Sequence, residues 1–155
     1  MGIGKMMIDN VKIRKAKKED LNKVSEIFRI EFAKSPYNEK WIRSSSLNRI
    51  KEYLKKGSDV FVAESNKKIL GFVIVESFLW DDGRVYFIDE VVVKKEFQAK
   101  GVGNLLINFI EKLAKKNRAK RIELMAVKDS YAFKFYNKLK FNQLKNFVYL
   151  TKKLK

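Results

Sequence analysis

Val11 and Ile13 alternate with Lys12 and Arg14, the period of a half-buried strand. From Leu21 the spacing lengthens. Leu21, Val24, Ile27, Phe28 and Phe32 fall three and four residues apart, which predicts a helix that Asp20 can cap. Ser35-Pro36-Tyr37 breaks it. A second helical stretch is expected over about 39–56, carrying Trp41, Ile42, Leu47, Ile50 and Leu54, with Gly57 as its stop. The period then shortens again. Residues 59–64, 69–79 and 84–93 are β-branched and aromatic runs, parted by Asn66-Lys67-Lys68 and Asp81-Asp82-Gly83. Three strands joined by short turns predict an antiparallel meander.

After Gly101 the helical period returns: Val102, Leu105, Leu106, Phe109, Ile110 and Leu113 make one apolar face, and Glu111 and Lys115 can pair on the wet side. A strand over 121–127 and a helix over 130–139 follow. Two short strands, 141–144 and 147–152, are expected to close the chain around Lys145-Asn146. The predicted order is β-α-α-β-β-β-α-β-α-β-β. A long helix between the strand ending at Val93 and the one starting at Arg121 is a parallel crossover. The fold class is therefore α/β, a mixed sheet with helices on its faces, and a length of 155 residues predicts one domain spanning 1–155.

Composition narrows the chemistry. Cys and His are both absent, which removes disulfides, thiolate nucleophiles, zinc sites of the usual kind and every Ser-His or Cys-His triad. No metal site is expected, and reactions must run on carboxylates, Tyr, Lys, hydroxyls or backbone amides. Lys+Arg 35 against Asp+Glu 18 leaves a net charge of +17, which points to anionic partners or to a generally basic surface. The start, MGIGKMMIDN, lacks the apolar run of a signal peptide, and Met6 stands where a myristoylation signal after Gly2 wants Ser or Thr. With no stretch long enough to span a membrane, the expected location is cytoplasmic.

The most informative segment is 91–104, VVVKKEFQAKGVGN: a strand ends, a basic loop with glycines follows, and an amphipathic helix begins. That order aims free N–H groups and the positive end of a helix dipole at one point, where Gly101 and Gly103 let an anion approach and Lys94, Lys95 and Lys100 add charge. A pyrophosphate is the natural occupant. A Walker loop would need Lys-Ser/Thr after Gly103, where Asn104 stands, and a dinucleotide fingerprint would need Gly in place of Leu106.

The spacing Gln98-x-x-Gly101-x-Gly103 after a valine-rich strand resembles the coenzyme A loop of the GNAT superfamily of N-acetyltransferases. Downstream, Ala132, Phe135, Tyr136, Leu139 and Phe141 match the family's helix in order and spacing. The resemblance implies acetyl-CoA as co-substrate and direct transfer of its acetyl group to a primary amine of a peptide, protein or small molecule. It implies that Val91, Val92 and Val93 grip the pantetheine arm, and that Gln98, Ala99, Lys100, Gly101, Val102, Gly103 and Asn104 hold the pyrophosphate. Asp129 stands at the position of an Asn that touches the coenzyme. Tyr136 is the family's proton donor to the departing thiolate.

For the base, a carboxylate acting directly or through water is expected. Asp89 and Glu90 are adjacent inside an apolar strand and point to opposite faces unless a bulge intervenes. In the family an acid at a splay of the fourth strand serves, so Glu90 is the first choice and Asp89 the second. Three positions depart from the pattern. Asp129 replaces the Asn and loses its amide donor, Leu124 replaces the catalytic Glu of ribosomal-protein-type N-terminal acetyltransferases, and Lys140 replaces a Gly. Acceptor specificity in the family comes from segments matching 32–47 and 143–147. A cationic acceptor would need Asp81, Asp82, Asp89 and Glu90 to cluster. The expected partners are acetyl-CoA and an amine, with no membrane. Nucleic acid and a second copy of the chain stay open, the former as a basic binding module without catalysis.

Overall fold

A computed structural model describes residues 8–155, so Gly2 and Met6 lie outside it. Its elements are β1 (Lys12–Lys15), α1 (Leu21–Phe32), α2 (Arg43–Lys56), β2 (Asp59–Ser65), β3 (Lys68–Trp80), β4 (Gly83–Val93), α3 (Val102–Lys116), β5 (Arg121–Leu124) and α4 (Tyr131–Lys138). The residues form two compact units, one ending at Met125 and one from Ala126 to Lys155. No helix among the described residues is long and apolar enough to cross a membrane.

The first unit is a five-stranded sheet in the order β1-β2-β3-β4-β5. The first four strands are antiparallel neighbours, and β5 joins β4 in parallel after the α3 crossover. The expected meander forms, and Asn66 and Lys67, both at positive φ, make its first two-residue turn. Alternation along β2 sorts its side chains. Val60 and Val62 join Val24, Ile27, Phe28, Ile50, Tyr53, Phe72, Ile74 and Val92 in the core beneath α1 and α2. Phe61, between them, points the other way and stacks on Phe109 of α3 with ring centroids 4.9 Å apart. Gly71 lies where β3 and β4 crowd: a Cβ there would come within 2.5 Å of the Val92 carbonyl.

Several local expectations change. The second helix begins at Arg43 and not near residue 39, because Ile42 is extended and its N–H is taken by the Ser45 hydroxyl at 3.2 Å. Asp20 does not cap α1. It is buried, accepts the Lys17 N–H at 2.7 Å and is held by a forked pair of bonds from Arg14, which lower its pKa. Glu111 and Lys115 form no ion pair among the described residues. The fifth strand stops at Leu124.

In the second unit Ser130 caps α4 by accepting the Phe133 N–H at 3.1 Å. The two closing strands do not form: 141–155 holds a turn at Lys145 and Asn146 and no ladder. A lone two-stranded hairpin is marginal in water, and hydrophobic alternation by itself does not supply a partner strand. Lys140, which replaces a Gly of the resembled pattern, still adopts the left-handed conformation at φ 66°.

Candidate active site

Parallel pairing between β4 and β5 covers only Val85 to Ile88, opposite Arg121 to Leu124. Beyond Ile88, residues Val91, Val92 and Val93 pair with Val73, Phe72 and Gly71 of β3 on one edge. Their other edge has no strand beside it among the described residues. Free N–H and C=O groups along such an edge can take an extended ligand as an extra strand.

Just past that edge, a short 3-10 turn over Lys95–Phe97 leads into the loop before α3. Ala99 and Gly101 both take positive φ, 58° and 87°, which turns successive amides toward one side. The first amide of this stretch to find a backbone acceptor is Leu105, bonded to the Gly101 carbonyl at 3.0 Å. Among the described residues no carbonyl accepts from the amides of Ala99, Lys100, Gly101, Val102, Gly103 or Asn104. A Cβ built on Gly101 would meet nothing within 4 Å, so the space over the loop is open. Unsatisfied donors at a helix start, with open space above them, suit an anion.

The side chain of Gln98 turns inward. Its Nε2 donates to the Val93 carbonyl at 2.8 Å and reaches Glu31 Oε2 at 3.4 Å. Glu31 also accepts the Lys95 N–H at 3.1 Å. Gln98 and Glu31 thus brace the loop against β4 and α1. Glu31 was not legible as a site residue, since its sequence position marks it only as a wet helix residue. Lys100 Nζ lies 5.9 Å from the Phe97 ring centroid.

On β4 the register slips. Ile74 pairs with Glu90 while Val75 pairs with Ile88, leaving Asp89 as an extra residue. The bulge undoes the alternation, and both carboxylates come to the α2 side of the sheet. Glu90 Oε1 accepts the Tyr53 hydroxyl at 2.8 Å. Asp89 faces Ser58 and the Lys56–Glu76 ion pair (2.9 Å), and its Oδ2 is buried without a hydrogen-bond partner. Burial pushes the Glu90 carboxyl up to about 7, with the charge of Glu39 adding and the Tyr53 bond opposing. Burial likewise pushes Asp89 up to about 6, with Glu76 adding. A carboxylate near 7 is suited to accept a proton at neutral pH.

The α1–α2 connection supplies the walls. Trp41 packs edge-on against Phe28 at 5.2 Å, Tyr37 against Phe32 at 4.8 Å, and the Trp41 indole N–H donates to Glu39. Glu39, Lys40, Trp41 and Ser45 line a hollow of about 440 Å³. The Tyr37 pKa is raised, by burial first and then by the charge of Glu90. Of the acids considered for an acidic cleft, Asp82 is engaged by Arg121 at 2.7 Å, whereas Glu90 feels the charge of Asp89. Two acids outside that set add to them, Glu39 acting on Glu90 and Glu76 on Asp89. Part of the excess positive charge lines a separate groove of about 840 Å³ bearing Lys23, Arg43, Lys67, Lys68 and Lys94.

In the second unit Tyr136 sits on α4 with its ring 5.3 Å from Phe135 and 5.7 Å from Phe141. Asp129 takes a positive φ of 61° in the turn before that helix. No group of three or more His, Cys, Asp or Glu side chains among the described residues could hold a metal ion.

The chain matches the model of the acetyltransferase (GNAT) family over residues 21–141. It is 31% identical over 147 residues to an uncharacterized N-acetyltransferase of Methanocaldococcus jannaschii, with 88% of this chain and 63% of that protein covered. The chain therefore spans less than two thirds of the length of that relative. Among solved structures, a possible acetyltransferase from Clostridium difficile 630 superposes with a TM-score of 0.81 at 20% identity, covering 94% of this chain and 99% of that one. An aminoglycoside N-acetyltransferase, AAC(6')-Iy, solved in complex with CoA, superposes at 0.74 and 16% identity, covering 94% and 96%. At these identities the likeness is one of fold.

Proposed function

Because the chain belongs to the GNAT family of acetyltransferases, we propose that it transfers an acetyl group from acetyl-CoA directly to a primary amine of a peptide, protein or small molecule. Residues 1–155 act as one acetyltransferase domain in this reading. The observation that carries it is the run of amides from Ala99 to Asn104 without acceptors, set at the end of a strand edge that is open at Val91, Val92 and Val93. These residues fit coenzyme A, whose pyrophosphate needs donors and whose pantetheine arm carries amides able to pair with a strand. Val102, Gly103 and Asn104 bring the start of α3, with its positive dipole end, to the phosphates. Lys94, Lys95 and Lys100 add charge around them, and Gln98 keeps the loop in place. Asp129 keeps only acceptor capacity at its position, so its part is limited to an N–H of the coenzyme.

Bound acetyl-CoA supplies a thioester carbonyl for the amine nitrogen to attack and a thiolate to leave. An alkyl ammonium with a pKa near ~10 must first lose a proton, and the chain has no His to take it. Glu90 accepts that proton, directly or through water, with Asp89 as the neighbouring acid. The C–N bond forms as the C–S bond breaks, and Tyr136 gives its phenolic proton to the departing sulfur. Glu90 then carries the first proton taken from nitrogen and gives it up to solvent. The second leaves the acylated nitrogen through solvent water and reprotonates the Tyr136 phenolate, so that one proton is released per transfer.

Titration with acetyl-CoA tests the reading. At 100 times its dissociation constant the ligand stabilises the fold by about 2.7 kcal/mol, which is a clear rise in melting temperature. Thiol release with a panel of lysine peptides and small primary amines then reads the transfer itself. Absence of both the melting shift and thiol release overturns the reading.

A further inference from the structure

Arg49 and Tyr53 stand one turn apart on the same face of α2. Arg49 Nη2 donates to Tyr53 Oη at 2.9 Å, and Tyr53 Oη lies 2.8 Å from Glu90 Oε1. The guanidinium carbon also sits 4.3 Å from the centroid of the Tyr53 ring, so the arginine is fixed by the ring as well as by the hydroxyl. Tyr53 itself is buried in the core under α1 and α2, with 4% of its surface exposed. Neither residue is singled out by the sequence pattern.

The direction of this chain of hydrogen bonds follows from its donors. Arginine can only donate, so the phenol oxygen accepts from Arg49. The phenol has a single hydrogen, and the remaining partner is Glu90, so that hydrogen goes to Oε1. Oε1 is therefore an acceptor, and the phenol binds a carboxylate more strongly than a neutral carboxyl. The bond favours the ionised form and anchors one of its oxygens, leaving Oε2 as the oxygen that Tyr53 does not hold. Against this stand Glu39 from the α1–α2 connection and Asp89 from β4 itself, whose charges oppose ionisation, together with burial. Tyr37, from the same connection, also feels the charge of Glu90. The bulge at Asp89 delivers Glu90 to α2, where the two helix residues offset part of that opposition.

We infer that Arg49 and Tyr53 are positioning residues for the transfer reaction, orienting Glu90 and favouring its ionised form through a directed Arg49→Tyr53→Glu90 hydrogen-bond chain. The inference rests on the reading of Glu90 as proton acceptor. The chain carries no substrate contact of its own. Its effect is on the fraction of Glu90 able to take a proton, and so on the pH at which the enzyme turns on.

The test is a pH titration of the full chain carrying 13C-labelled glutamate carboxyl groups, with the Glu90 signal assigned by its loss in Glu90→Gln. Tyr53→Phe keeps the ring and removes the hydroxyl. The Glu90 midpoint, near 7 in the parent, moves upward by about one pH unit, which cuts the ionised fraction at pH 7 about fivefold. Thiol release from acetyl-CoA falls by the same factor at pH 7 and recovers at pH 9, while the acetyl-CoA melting shift is unchanged. Arg49→Gln moves the midpoint in the same direction, and Arg49→Lys restores part of it; these variants serve if Tyr53→Phe does not fold. A midpoint that stays in place in both Tyr53→Phe and Arg49→Gln overturns the inference. So does a rate lowered equally at every pH, which is the signature of packing. If instead Glu90→Gln releases thiol at the parent rate, the proton-acceptor reading fails first, and the inference with it.

Discussion

Gln98 donates its side-chain amide to the main-chain carbonyl of Val93 at 2.8 Å, tying the loop before α3 to the last residue of β4. The bond spans the two surfaces proposed to hold coenzyme A, and the loop amides keep their aim only while it stands. Replacing Gln98 with Ala removes a hydrogen bond worth about 1 kcal/mol, so acetyl-CoA binds about fivefold more weakly by calorimetry. Global stability changes little, because Gln98 lies outside the core. Unchanged affinity would show that the loop holds its shape without the brace.

Gly101 makes a separate prediction, because its backbone is left-handed at φ 87° while no atom lies near an added Cβ. A side chain there costs conformational strain of about 1–2 kcal/mol without any clash. Gly101→Ala therefore weakens acetyl-CoA binding about five- to thirtyfold. Gly101→Asn weakens it less, since Asn enters this region more readily than Ala. Equal losses for the two variants would point to crowding of the ligand and away from backbone strain.

How far the sequence reached can be judged at these same residues. The period of 2 in Val60-Phe61-Val62 and the period of 3.6 in Val24, Ile27 and Phe28 locate the two faces of the sheet, because burial acts locally on alternating positions. The strand–loop–helix run ending in Gly101 marked the candidate anion site for the same reason: glycine and helix start are local signals. The bulge at Asp89 was visible only as a condition, since register is a property of two strands and Ile74 and Val75 had to be aligned with β4 first. Tyr53 and Arg49 were illegible, because a helix residue gives no sign of which strand carboxylate it will meet. Asp20 misled, as its carboxylate had a stronger partner in Arg14 than the helix amides offered.

Tyr136 is assigned the proton that neutralises the leaving thiolate, whose conjugate acid has a pKa near ~8.5. Removing the hydroxyl in Tyr136→Phe keeps the ring contacts with Phe135 and Phe141. Turnover at pH 7 falls on the order of a hundredfold, and the affinity for acetyl-CoA stays within about twofold. Loss of affinity with turnover of the bound enzyme intact would make Tyr136 a packing residue.

The stability of the fold carries the mark of Glu90 as well. Its carboxyl titrates at about 7 in the folded chain against an ordinary value of 4.5, so the folded state holds the proton more tightly than the unfolded state does. Below pH 4.5 both states are protonated and the group costs nothing. Between pH 4.5 and 7 the unfolded chain ionises while the folded chain does not, and stability falls with rising pH. Above 7 the full cost persists. Glu90→Gln removes the charge but keeps an oxygen able to accept from Tyr53. The variant is therefore more stable than the parent by about 1–3 kcal/mol at pH 8, and the gap closes toward pH 4, as read by urea unfolding at the two pH values. Asp89, raised to about 6, adds a smaller slope of the same sign below that pH. A Gln variant less stable at pH 8 than at pH 4, relative to the parent, would mean that ionised Glu90 supports the fold, and a group held that way is a poor candidate for a proton acceptor.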